Sequence, residues 1–439
     1  MKKTMIFFVS LFVLGCIIYL SSGEFLRYSG INVVWVLRQN LLYFTGVIAW
    51  LFMTLTMCLA LRSSWLEGLT HGLDKAWGLH KWTGITATVF SLAHWLDEKV
   101  PQWLVNAGWL AHPGELGNIH LSPWLLQTVE AGLAAVTWTL YFMVALVLVS
   151  LATKIPYRLF RQVHRLFPVV YLITAFHVMM VLFKSHWWET PSAYAIALVT
   201  VPGFYAAVIC LFRRVGHKNK HQGVIEEIYY HDEDLIEVVV KLDRECHYTP
   251  GQFAFLSFSH DLEPHPYTIA SYGKDKTRLH FAIKSLGDYT RALASNLTVG
   301  QSACIEGPYG EFSFAKPASR QVWVAGGIGI TPFLSQIDSP AQSGGAGYPI
   351  DFWYCTSSDD SAFPQGLAMR CEKAGVTLHL VSRNAQRLNA EKIMATCSHD
   401  TNMNVWFCGP QAFSRSLLNG LISSGVSERS FYCDSFSMR

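Results

Sequence analysis

Four histidines stand in two pairs within apolar sequence: His80 and His94 are fourteen residues apart, His164 and His177 thirteen. An α-helix rises about 1.5 Å per residue, so each pair sets two imidazoles roughly 20 Å apart, enough for one cofactor toward each face of a bilayer. Ionisable side chains in a membrane helix are costly and usually functional, although a lone histidine serves as often as a hydrogen-bonded packing residue. Two pairs at matching depths on two helices point instead to two ligand sets. Imidazole is the usual axial ligand of a haem iron that cycles its charge. Fourteen residues is close to four turns and keeps His80 and His94 on one face. Thirteen turns His177 away from His164, and Pro168 between them is expected to kink or re-register that helix.

The elements that must position these residues are membrane spans. Hydrophobic residues make up 51% of the 439 and charged residues only 15%, and apolar runs of spanning length stop after Arg213 and Arg214. At about 20 apolar residues per span, helices are expected near 5–22, 41–61, 80–98, 127–151, 163–184 and 192–212. Six spans leave both ends on one side. Lys2, Lys3, Arg62, Lys75, Lys154, Arg158, Arg161, Arg165, Arg213, Arg214, Lys218 and Lys220 collect there, which makes it the cytoplasmic side of a plasma (inner) membrane. The opening Met-Lys-Lys and its apolar run resemble a signal peptide, but no small-residue cleavage site precedes Glu24, so an uncleaved first span is expected. The opposite side carries residues 99–126, where Trp103, Trp109 and Trp124 suit an interface, and Arg38 ends span two there. A net charge of +3 supplies no basic stripe for nucleic acid. The ten cysteines form no CxxC pair, so the hydrophilic half reads as thiol-containing and cytoplasmic, without a disulfide framework or zinc site.

The spacings of fourteen and thirteen, on the third and fifth of six spans, resemble those of the ferric reductase and NADPH oxidase superfamily. That resemblance implies two b-type haems, the inner one between His80 and His164 and the outer one between His94 and His177. His71, His112, His120 and His186 have no partner at matching spacing and read as loop or interface residues. No EF-hand precedes the first span, so no calcium control is expected.

After a basic linker around 216–222, Gly223–Leu242 and Phe253–Phe258 alternate apolar and polar residues as antiparallel strands do, with Tyr248-Thr-Pro-Gly-Gln-Phe253 turning between them. His265-Pro-Tyr-Thr-Ile-Ala-Ser271 resembles the flavin-binding strand of ferredoxin reductase-like proteins. A flavin needs an apolar or aromatic face and a hydroxyl near its redox edge. By the resemblance Tyr267 packs on the ring, Thr268 contacts that edge, and His265 and Pro266 shape the strand. Lys284, Gly287 and Thr290 supply a cation, a flexible turn and a hydroxyl suited to the FAD pyrophosphate. Gly307-Pro-Tyr-Gly310 closes the barrel. Each of these motifs is an ordinary turn when met alone, and their order and spacing carry the reading.

From Gln321 the pattern becomes strand, glycine turn, helix: Gln-Val-Trp-Val-Ala325, then Gly326, Gly327, Gly329, Thr331 and Pro332. Glycines let a dinucleotide approach the backbone at a helix N-terminus. The turn resembles the GGxGxTP turn of the ferredoxin reductase family, in which Thr331 contacts the nicotinamide side. Further strands are expected at Ile350–Cys355, Thr377–Ser382 and Asn404–Cys408, the last running into Cys408-Gly409-Pro410. The resemblance places Cys408 beside the hydride-transfer site and Phe436 over the flavin face. Without it, Cys408 reads as a buried core cysteine. Ser382, Arg383 and Arg387 suit an adenosine 2′-phosphate, which favours NADPH over NADH.

The expected architecture has three parts: an all-α six-helix haem domain at 1–215, an antiparallel β-barrel for FAD at 216–318, and a parallel α/β domain for NAD(P)H at 319–439. The activity expected is transfer of electrons from cytoplasmic NAD(P)H through FAD and two haems to ferric iron or O2 on the opposite side. Two alternatives remain from the sequence: a module delivering electrons to a quinone or partner protein, and a haem-free transporter or anchor with a degenerate flavodomain.

Overall fold

The computed structural model describes residues 2–26, 33–70, 72–112, 123–152, 154–232, 234–258, 264–271, 275–314, 319–339, 348–356, 366–382 and 387–434. The chain divides into two compact units, Met1–Thr70 with Lys75–Val215, and His71–Asp74 with Gly216–Arg439.

The first unit is helical: α1 (Lys2–Ser21), α2 (Val33–Leu59), α3 (Ser64–Thr70), α4 (Leu73–Asn106), α5 (Pro123–Leu151), α6 (Tyr157–His164), α7 (Phe167–Lys184) and α8 (Pro191–Leu211). Among the described residues, four stretches are long and apolar enough to cross a membrane: Val33–Leu59, Leu126–Leu151, Leu159–Lys184 and Pro191–Leu211. The expected first and third spans form helices but miss that standard. Met5–Ser21 is a shorter apolar stretch, and α4 carries Lys75, Lys81, Asp97, Glu98 and Lys99 within its 34 residues.

The span expected at 163–184 is not one helix. His164 ends α6, a turn follows at Arg165 and Leu166, and Pro168 lies in the first turn of α7. There its missing N–H and fixed φ suit a helix start. Pro168 therefore begins a helix rather than kinking one, and the break resets the register between His164 and His177. Inside the bundle Trp50 stacks on Tyr171 with centroids 4.8 Å apart, and the Tyr171 hydroxyl meets Thr54 Oγ1 at 3.0 Å. Outward, Trp138, Leu198 and Val201 are exposed, as a lipid environment allows.

The second unit begins with six antiparallel strands: β1 (Lys220–Asp232), β2 (Leu235–Leu242), β3 (Phe253–Ser257), β4 (His265–Thr268), β5 (Arg278–Lys284) and β6 (Ser302–Tyr309), ordered β4-β3-β6-β1-β2-β5. The run Gly223–Leu242 folds as the β1–β2 hairpin. The outer edges meet where Ala270 N donates to His280 O at 2.9 Å, closing the barrel. A helix, α9 (Asp288–Asn296), follows β5.

Five parallel strands come next: β7 (Arg320–Gly326), β8 (Ile350–Cys355), β9 (Thr377–Val381), β10 (Met403–Cys408) and β11 (Phe431–Asp434). Helices α10 (Thr331–Ile337), α11 (Leu367–Lys373), α12 (Ala390–Thr396) and α13 (Gln411–Ser423) connect them. The central strands β7, β8 and β10 are near-continuous apolar runs because both their faces are covered. The order β11-β10-β7-β8-β9 reverses direction between β7 and β10. In open parallel sheets, ligands bind beyond the carboxyl ends of the strands at such a reversal.

Candidate functional site

The helical unit brings His80 and His164 together, with ring centroids 5.9 Å apart and planes at 57°. His80 Nδ1 donates to Thr56 O at 2.9 Å, and His94 Nδ1 donates to Leu42 O at 2.8 Å. A carbonyl can only accept, so both rings carry hydrogen on Nδ1 and present a bare Nε2. This is how ligating histidines are generally oriented. The two carbonyls on α2 are themselves fourteen residues apart, running opposite to the pair on α4.

Local structure opens both acceptors to the histidines. At the end of α2 the amide of Ala60 bonds to Met57 O, which leaves Thr56 O available. Beside Leu42, Gly46 has no side chain; a Cβ there would stand 3.2 Å from Cε1 and Nδ1 of His94. On the other side, Ser150 donates to Leu146 O at 2.7 Å and so accepts from His164 Nδ1 at 3.1 Å. His177 Nδ1 is buried with no hydrogen-bond partner, which makes it the least constrained of the four rings.

His94 and His177 face one apolar opening of about 1080 Å3, partly continuous with the outside, walled by Trp50, Trp95, Trp187 and Leu140. Among the described residues no group of three or more His, Cys, Asp or Glu gathers to hold a metal ion. Two imidazoles do not complete the shell of a bare ion, which takes about four protein ligands in a closed site. Such a pair would fit a haem iron, whose other ligands come from its own macrocycle, and the apolar lining would suit that group.

In the barrel, β4 pairs with β3, setting Thr268 opposite Phe253 and Tyr267 opposite Ala254. Thr268 Oγ1 and the Tyr267 hydroxyl are buried with no hydrogen-bond partner. An unsatisfied buried hydroxyl costs about 1–3 kcal/mol, so each of the two is an open place for a polar ligand atom. Burial, with Tyr289 nearby, pushes the Tyr267 phenol up, so it stays neutral. His265 stacks on Tyr289 at 3.8 Å between centroids, tying β4 to the start of α9.

Lys284 ends β5, and the turn after it is held by Thr290, whose Oγ1 accepts from Leu286 N at 3.0 Å and Gly287 N at 3.1 Å. That hydroxyl and both amides hold the turn itself. Gly287 is extended (φ −149°), and a Cβ on it would meet nothing within 4 Å, so neither strain nor packing demands a glycine. Gly287→Ala should therefore leave the urea midpoint within ~0.5 kcal/mol of native while lowering FAD content several-fold, because the added methyl obstructs close approach of phosphate. Native FAD content in that variant would move the pyrophosphate elsewhere. Gly307 and Gly310 have packing reasons instead. A Cβ on Gly307 would stand 3.0 Å from Ala254 Cβ, and Gly310 has φ +108° with Phe253 at 3.2 Å.

The two glycine turns of the parallel sheet lie against each other. Cys408 pairs with Ala325 across β10 and β7. A Cβ on Gly329 would stand 2.3 Å from Cys408 O, and one on Gly326 2.9 Å from Pro410 Cδ, with Gly409 Cα at 3.5 Å. Gly327 has φ +55° and open space beside it. The turn passes through a short 3-10 segment before Thr331 and Pro332 begin α10, which has only seven residues, so its dipole is small. Cys408 is wholly buried, and burial pushes its thiol well up, so it stays protonated and is no base or nucleophile at neutral pH. Ser382 follows β9 at the same carboxyl edge, two strands from β7 and so about 10 Å away. Arg387 is exposed; Arg383 and Phe436 lie outside the described residues, as do His71 and His120 and the side chain of His186. His112 lies in the non-helical stretch after α4.

Two family models match this chain: the ferric reductase like transmembrane component over residues 45–175, and an FAD-binding domain over 221–313. The chain carries a ferric reductase-like membrane domain joined to a flavin-binding domain. The membrane match contains His80, His94 and His164 and stops two residues before His177. The flavin match contains every barrel residue discussed above. Similar proteins include ferric reduction oxidase 3, mitochondrial, of Arabidopsis thaliana, 29% identical over 41% of this chain and 24% of that protein. Ferric reduction oxidase 4 from the same plant is 35% identical over 24% and 16%, so this chain spans only a minor part of either. The electron transfer component of toluate 1,2-dioxygenase from Pseudomonas putida is 22% identical over 55% of this chain and 73% of that protein. Among solved structures, the ferredoxin reductase in carbazole 1,9a-dioxygenase matches with a TM-score of 0.43 and 16% identity over 49% of this chain and 69% of that one.

The chain thus joins a ferric reductase-like transmembrane domain to an FAD-binding domain, the make-up of an electron-transfer oxidoreductase. Sequence reading missed Thr56, Leu42, Gly46 and Ser150 around its histidines. Of these, only Gly46 leaves a trace in sequence, as a small residue in an apolar run.

Proposed function

We propose that this chain carries electrons from cytoplasmic NAD(P)H through FAD and two b-type haems to ferric iron or O2 on the opposite side of the membrane. The observation that carries this reading is the repeated arrangement on α4, where His80 and His94 each donate Nδ1–H to an α2 carbonyl and keep Nε2 bare. In this reading His80 with His164 holds the inner haem and His94 with His177 the outer one, with six helices spanning and both termini cytoplasmic. Thr268 and Tyr267 hold the flavin edge and face, and Lys284 with the start of α9 its phosphates. Gly326, Gly327, Gly329 and Thr331, with Cys408-Gly409-Pro410, receive the nicotinamide half. Ser382, Arg383 and Arg387 take the adenosine end, favouring NADPH, and Phe436 covers the flavin until nicotinamide arrives.

Purified protein should show a b-type Soret band that shifts on anaerobic addition of NADPH. Absence of a reducible Soret band would remove the redox reading of the membrane half and leave the transporter or anchor alternative.

A further inference from the structure

The barrel has a second polar groove that electron transfer does not use. It is lined by His217 and Lys218 from the turn before β1, Lys220 and Gln222 on β1, Arg244 after β2, and Cys304 on β6. Gln222 and Cys304 are direct cross-strand partners, which forms its floor. Arg244 Nη2 donates to Lys220 O at 2.6 Å, fixing one side of the guanidinium and leaving its other N–H groups available. Among the described residues, no carboxylate comes within ion-pair distance of Lys218, Lys220 or Arg244. Glu306, the cross-strand partner of Lys220, is buried and accepts from the Tyr309 hydroxyl at 3.0 Å.

Three cations with no acid within ion-pair distance, gathered around a groove, suit an anion with several acceptor oxygens. Lys and Arg both serve phosphate in this way, the latter through its planar fork. Two sources of phosphate exist, and chain length decides between them. His217 follows Leu211, the last residue of α8, by six residues, and six residues reach at most about 22 Å. Arg213 and Arg214 lie on the way. Anionic leaflets draw such juxtamembrane basic clusters strongly and only at short range.

We propose that this groove binds the phosphate headgroup of an anionic membrane lipid. The proposal rests on reading α8 as membrane-embedded and on nothing about haem or acceptor. The full-length protein would be purified in micelles containing phosphatidylglycerol or phosphatidylcholine, and the lipid it retains counted by native mass spectrometry. Wild type should retain phosphatidylglycerol selectively. The triple variant Lys218→Gln, Lys220→Gln, Arg244→Gln should retain about tenfold less, with unchanged phosphatidylcholine and FAD content, and Lys218→Arg with Lys220→Arg should restore retention. Equal phosphatidylglycerol in wild type and the triple variant overturns the proposal. So does displacement of the lipid by inorganic phosphate where KCl of equal ionic strength has no effect, since that identifies a free-phosphate site. Should the triple variant fail to fold, wild type alone decides: ~0.5 M KCl, which shortens electrostatic reach to a few ångström, must strip the lipid, and its full retention overturns the proposal. A chain that stays soluble without detergent would instead defeat the reading of α8.

Discussion

His94→Leu protein is expected to carry one haem per chain, against two expected in native protein, with FAD content unchanged. Each histidine of α4 has its own support: Leu42 O and the gap at Gly46 for His94, Thr56 O for His80. Fourteen residues of helix separate the two supports by roughly 20 Å, beyond the range at which side-chain substitutions usually couple. Leucine fills the apolar site without a ligand atom, so a haem iron held there would lose one of its two protein ligands. His177→Leu should behave alike, since both rings face the same opening. A pyridine haemochrome assay and flavin fluorescence on one sample measure both quantities. Two haems per chain in either variant would contradict the pairing.

The candidate site residues are visible in the sequence because the side chain itself carries the signal. The histidine spacing, the His265–Thr268 strand and both glycine turns can be read from residue type and order, and the structure sets the two turns against each other. The strands were legible too, as alternation in β2 and as solid apolar runs in β7, β8 and β10. What stayed hidden depends on backbone. Thr56 and Leu42 act through carbonyls, which every residue has, and only folding shows which ones a histidine reaches. The break at Arg165 and Leu166 falls on residue types that suit a helix, so Pro168 reads as a kink in sequence when it starts a helix. Thr290 reads in sequence as a phosphate ligand, and the structure adds a second task, since its hydroxyl also holds the turn before α9. The polarity of α4 has a simple cause: the helix that presents two imidazoles also carries Asp97 and Glu98 near the second.

The central claim is that electrons cross the membrane through the histidine pairs. A hydride delivers two electrons while a haem iron takes one at a time, and a bound flavin supplies the conversion. The residues that would do this lie in the barrel and the parallel sheet, so dye reduction by NADPH should need only those. Crossing about 30 Å of hydrocarbon needs intermediate stations, and His80 with His164 is the first of them on the cytoplasmic side in the proposed orientation. The deciding measurement uses sealed vesicles with NADPH outside, on the face bearing the flavin module, and a membrane-impermeant ferric acceptor enclosed. The account predicts that the enclosed acceptor is reduced by native protein and that His80→Leu abolishes this while dye reduction outside continues at the native rate. Acceptor reduction only on the NADPH side, or undiminished reduction inside by His80→Leu, would contradict it.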